Sequence, residues 1–90
     1  ALCIGGDSEI LSLSGTVGLG AADDAGRGHS HLHMAVAAAT GEVFGGHVAP
    51  GCRVRTTAEV VLALLPEWAF TREPDAATGY AELVVKAREA

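Results

Sequence analysis

The sequence predicts a small α+β domain, mainly antiparallel β-sheet with little helix. Three observations predict it. Residues Glu9 to Leu19 alternate apolar and polar side chains, the mark of a strand with one covered face. Two strand-like runs, HLHMAVA and EVFGGHV, are joined by the turn-forming stretch AATG. A second pair, AFTRE and ELVVKA, flanks PDAATGY, whose Pro, Asp and Gly favour a turn.

The chain has 90 residues, enough for one small domain over residues 1–90. It is 49% hydrophobic but only 4% aromatic, so its core is built from Val, Leu, Ile and Ala. A domain this small gains from burying surface against copies of itself. The formal net charge of -5 argues against nucleic acid or anionic membrane as a partner, since phosphate binding needs clustered Lys and Arg. Of the basic residues, Arg53 and Arg55 are close in sequence, with no larger cluster. No nucleic-acid-contacting residue can be assigned. Cys3 and Cys52 lack CxxC spacing; they allow one disulfide, but read first as two thiols in a reducing compartment. With no signal peptide and no transmembrane run, the expected setting is cytoplasmic, with no membrane partner. The chain starts at Ala1 rather than Met, which reads as a fragment or a processed form.

In the first strand, Leu11, Leu13, Val17 and Leu19 share a face with Gly15, and Ser12, Ser14 and Thr16 occupy the other. Gly20 to Gly28 is a loop by composition. Its Asp23 and Asp24 lack EF-hand spacing. His29 falls in this loop as a solvated side chain. The run Cys52 to Leu65 is ambiguous. Thr56 and Glu59 have capping-box spacing for a helix, whereas Val54, Val60, Val61 and the threonines favour a strand. A long strand ending at Pro66 is the preferred expectation. Arg72, Glu73 and Asp75 read as solvated surface beside a turn, and the tail KAREA as exposed.

The turn after the HLH motif decides whether the histidines meet. A three-residue loop, Ala39-Thr40-Gly41, puts Gly41 in the left-handed conformation that glycine adopts without steric cost. His33 then lies opposite His47, and His31 shares their face. The other face pairs Leu32 with Val48, Met34 with Gly46 and Val36 with Phe44, a coherent apolar set. A two-residue loop would turn His47 away and drive Phe44 and Val48 out of the core. The apolar pattern therefore selects the register that unites the histidines.

Ala35, Ala37, Val43 and Gly45 complete the histidine face. Three imidazoles above small neighbours suit Zn2+ or a similar divalent metal, with one position left open. An HxH pair alone also fits solvated or hydrogen-bonded histidines; the third histidine, supplied by the register, favours a metal. Glu59 is a candidate fourth ligand or general base, or a salt-bridge partner of Arg53 or Arg55. No nucleophile elbow and no phosphate-binding glycine loop is present, and no catalytic residue is assigned.

The stretches LSLSGTV, HLHMAVA, GEVFGGHV followed by TTAEVVL, and FTREPDAATGYAELVV occur in order. Together they closely resemble the prokaryotic form of the plant and prokaryote conserved (PPC) domain, from Ile10 to Val85. The resemblance implies a largely antiparallel sheet, a fold similar to acetolactate decarboxylase, and a homotrimer. It lands the metal-ligand set on His31, His33 and His47, and an acidic position on Glu59. It also implies DNA binding, by association with the AT-hook proteins of plants, although no AT-hook and no basic tail is found here. The family's N-terminal strand-helix-strand portion has only ALCIGGDSE as a remnant, so the chain corresponds to about the C-terminal two-thirds of the domain. The implied function is a DNA-associated or regulatory trimeric module with a three-histidine site for a divalent metal, zinc first. The alternatives are a metal-dependent enzyme of lyase or hydrolase type, with Glu59 moving protons, and a structural trimer without activity.

Overall fold

A computed structural model of the chain describes residues 4–18 and 29–88. The expected loop Gly20–Gly28 with Asp23 and Asp24, the Cys3 thiol, Leu19 and the last two residues lie outside the described residues. The described chain holds five strands and no helix: β1 (Ser8–Gly18), β2 (His29–Ala38), β3 (Val43–His47), β4 (Trp68–Pro74) and β5 (Ala81–Ala87). They form a three-stranded sheet of order β1-β2-β3 and a two-stranded sheet of β4 and β5. The β2–β3 and β4–β5 pairings are both antiparallel. The mainly antiparallel sheet expected from the alternation is present; the small helical share has no counterpart among the described residues. By chain contacts there are two compact units, Ala1–Gly15 with His31–Val60, and Thr16–Ser30 with Val61–Ala90.

In the first unit the β2–β3 hairpin has the expected register. His33 pairs with His47, Met34 with Gly46, Ala35 with Gly45, Val36 with Phe44 and Ala37 with Val43. The turn is closed by Gly41 N–H donating to the Ala38 carbonyl at 2.8 Å, and by Ala38 N–H donating to the Glu42 carbonyl at 2.9 Å. Gly41 has φ +88°, the left-handed conformation that costs any residue with a Cβ about 1–2 kcal/mol. Val36 is buried at 7% exposure, and Leu32, Met34, Phe44 and Val48 around it are half-buried. β1 meets β2 through Gly15: a Cβ there would fall on the His31 carbonyl oxygen and the Leu32 Cα. The apolar side chains of β1 are more open than a half-covered strand implies, with Ile10, Leu11 and Val17 all exposed. His29, expected in a loop, begins β2.

In the second unit, Phe70 pairs with Val85 and Arg72 with Leu83. Trp68, Phe70, Leu83 and Val85 therefore share one face of this hairpin. Its turn is held by Asp75, whose carbonyl accepts Gly79 N–H at 2.8 Å and whose carboxylate accepts Ala77 N–H at 2.8 Å. Arg72 is not simply solvated: it is half-buried and its guanidinium donates to the Thr16 hydroxyl at 3.1 Å. Gly18 comes so close to β4 that a Cβ on it would strike the Phe70 carbonyl oxygen. Glu73 is paired with Lys86 at 3.7 Å.

The long strand expected over Cys52–Leu65 does not form. Residues 52–65 have no regular structure and are exposed throughout. A strand exists only against a neighbour that takes its backbone hydrogen bonds, and the described residues provide none for this segment. The capping-box spacing of Thr56 and Glu59 starts no helix either. Polar ties to this segment among the described residues are an ion pair between Arg55 and Asp7 and, at its end, Trp68 N–H donating to the Leu65 carbonyl at 3.1 Å.

Substituting Gly41→Ala should lower stability by about 1 kcal/mol, from the forced left-handed residue. Gly46→Ala, where an added Cβ meets nothing within 4 Å, should be close to neutral. Equilibrium denaturation of both variants checks this contrast; an equal loss in both would contradict the turn geometry.

Candidate metal centre

His31 and His33 lie two residues apart on β2 and so project from one face of the sheet. His47 faces His33 across the hairpin. The cross-strand hydrogen bonds outside this pair run between Ala38 and Glu42 and between Leu32 and Val48, the latter at 2.9 Å. By the alternation of an antiparallel ladder, His33 and His47 then form a non-hydrogen-bonded pair, where Cα atoms approach to about 4.5 Å and side chains come closest.

The result is a near-equilateral triangle of imidazoles. Ring centres are 5.1 Å apart for His31–His33, 5.1 Å for His31–His47 and 5.5 Å for His33–His47. One nitrogen from each ring can be chosen so that all lie within 4.8 Å of one another. A tetrahedral ion held at about 2.0–2.1 Å by three imidazole nitrogens spaces those nitrogens by about 3.4 Å and the ring centres by about 5.2 Å. The ring centres thus already stand at the spacing a zinc triad requires. The donor set of three nitrogens, with no Asp, Glu or Cys in the group among the described residues, suits Zn2+ and its neighbours in the transition series rather than Ca2+ or Mg2+.

The site is open. His31 is half-buried, and His33 and His47 are exposed. The small neighbours form a low floor: Ala35 and Ala37 are half-buried, and Gly45 is exposed. Glu59 is exposed and is not a member of the histidine group. The opposite, apolar face of the hairpin carries a separate pocket of about 160 Å³, lined by Ile4, Met34, Val36, Phe44, Val48 and Cys52 among others. Cys52 is a free, exposed thiol. Gly15 is a residue that sequence reasoning assigned only to an apolar face. Its close approach to His31 positions β2, and a lone glycine inside an alternating strand is the signal that could have marked it.

A family model, the Plants and Prokaryotes Conserved (PCC) domain, matches residues 2–66. The chain belongs to this family. It is the family that the sequence motifs resemble under the abbreviation PPC. The PCC match takes in all three histidines and Glu59, while β4 and β5 lie beyond its end. Two curated relatives, each called "Bifunctional protein GlmU", come from Synechococcus. The one from strain JA-2-3B'a(2-13) is 50% identical over 78 residues, covering 87% of this chain and 11% of the relative. The one from strain JA-3-3Ab is 51% identical over 78 residues, with the same coverage. The chain therefore spans about a tenth of the length of these relatives. No helix among the described residues is long and apolar enough to cross a membrane.

The pairing itself can be tested by cross-linking. In a background with both Cys3→Ser and Cys52→Ser, His33→Cys with His47→Cys should oxidise readily to a disulfide, because a non-hydrogen-bonded pair has Cα atoms about 4.5 Å apart, within disulfide reach. Ala35→Cys with His47→Cys, one step off register, should stay reduced under the same oxidant. Mass spectrometry of the alkylated products reads both.

Proposed function

We propose that this chain is a metal-binding PCC module that self-assembles as a homotrimer, with His31, His33 and His47 holding one divalent ion, zinc first. The observation that carries the reading is the triangle of ring centres at 5.1, 5.1 and 5.5 Å on one hairpin face. A zinc ion bound there supplies Lewis acidity at its remaining position. The chain's own part is to present three neutral imidazoles from paired strands, so that the hairpin register sets the ligand geometry. A module carried by larger chains is supported by the coverage of relatives whose printed name is a bifunctional protein. A reducing, cytoplasmic setting fits the free thiol of Cys52.

Self-assembly is supported by apolar surface. Val61 is 98% and Leu64 84% exposed, and Val54, Val60, Leu62 and Leu65 are exposed beside them. Each such side chain gains about 1.5–3 kcal/mol on burial, a gain open to a complex. The trimeric number is what the family resemblance implies. DNA association, also implied by that resemblance, draws no support from the charge of -5, and Arg55 and Arg72 are engaged with Asp7 and Thr16. An enzymatic reading would require a proton-transfer group beside the metal, and Glu59 stands outside the histidine group.

Metal analysis of tag-free protein should find about one zinc per chain, lost in His33→Ala, as expected when one of three ligands is removed. Acidification from about pH 7.5 to about pH 5.5 should release it, because a ligating imidazole must be unprotonated. Light scattering on the eluting protein should give the mass of three chains. Zinc retained in His33→Ala would sink the metal site, and a monomeric mass would sink the assembly. Fluorescence anisotropy with duplex DNA at low salt should show no binding; a salt-sensitive affinity would instead restore the DNA role.

A further inference from the structure

The histidine face points to a ligand as well as to a metal. Among the described residues its donor group contains no carboxylate and no thiolate, so a divalent ion held by these three imidazoles keeps its full charge of two. The ion's fourth position would be open to a ligand, since the three imidazoles rise from an open sheet face with His33 and His47 exposed. An uncompensated dication with a free position prefers an anionic oxygen donor.

The floor beside the imidazoles adds a second preference. Next to the His33–His47 pair lies Ala35 opposite Gly45, and beyond it Ala37 opposite Val43. These pairs stand about 7 Å and about 13 Å along the strands from the histidine pair. Within the hairpin this strip bears no charged or hydrogen-bonding side chain. A Cβ added at Gly45 would make only ordinary contacts, 3.4 Å to the Met34 carbonyl oxygen and 3.9 Å to the Ala35 Cβ. The strip is therefore low and free of steric obstruction at Gly45, and apolar as far as Ala37, where Asp7, Ser8 and Glu9 line a cavity beside it.

Resting on the three-histidine metal reading, we propose that this face binds short aliphatic monocarboxylates. The carboxylate takes the open metal position, and the hydrocarbon chain lies along Ala35 and Gly45. Gly45 sets the height of the floor and so the length of chain accepted. Binding is coordinative; no covalent bond of the ligand is made or broken.

The test uses the whole chain loaded with Co2+, whose visible absorption reports coordination directly. Co2+ is titrated first, into wild type and His33→Ala. Acetate, butanoate and the neutral butanamide are then titrated into the cobalt form. Each fully buried methylene is worth about fourfold in affinity. Contact on one side only should make butanoate bind about fourfold more tightly than acetate, with butanamide silent. Gly45→Val should abolish that preference while leaving the acetate response intact, which also shows that the variant folds and holds metal. Ala35→Val serves as the second variant, with the same expectation. If wild type takes up no Co2+, or His33→Ala takes it up equally, the metal reading fails and the proposal falls with it. If Co2+ binds but no carboxylate alters its spectrum, the metal reading stands and the proposal is overturned. Equal affinity for acetate and butanoate, or an unchanged preference in both valine variants, overturns the assignment of the floor.

Discussion

The register of the β2–β3 hairpin is the constraint on which the rest of this structure depends. It is set at one place, the turn in which Gly41 adopts φ +88°. Side chains alternate faces along a strand, so a shift of one residue would move His47 to the opposite side and carry Phe44 and Val48 out of the apolar cluster. The same alternation that buries Val36 gathers the three imidazoles. Site and core are two faces of one hairpin, and neither can be altered in register without the other.

This coupling explains where close packing is spent. β1 presses on β2 at Gly15, against the backbone of His31 and Leu32. A side chain there would push on the strand that carries two of the histidines. In the second unit Gly18 plays the corresponding part against Phe70, and Arg72 reaches Thr16 nearby. Elsewhere the described chain is sparsely packed, with Val36 its one buried apolar side chain among those residues. Geometry at the histidines thus rests on backbone pairing and the Gly15 contact more than on a thick core.

The segment 52–65 carries the opposite lesson. Its sequence has the alternation and the β-branched content of a strand, yet it stays unpaired and exposed. Strand propensity describes a residue's fit to a pleated, half-buried surface, not an intrinsic preference of its backbone. Without a neighbour to accept hydrogen bonds, Val54, Val60 and Leu62 have no surface to fit. The same residues that leave this part irregular in one chain make it suited to burial in an assembly.

Much of the fold was legible in the sequence because the informative interactions are local. Both hairpins, the alternation of β1, the turn glycine and the meeting of His31, His33 and His47 follow from period-two patterning and turn chemistry, which act over a few residues. The family, too, was readable from the motifs in order. What only the tertiary structure decided are matters of long-range partnership. Among the described residues, 52–65 found no strand to pair with, and Glu59 with them stayed outside the histidine group. Arg72 left the solvated surface for Thr16, and His29 entered β2 rather than the loop before it. A strand's pattern states which face should be covered. It does not state whether another part of the chain is near enough to cover it, because that depends on contacts far apart in sequence.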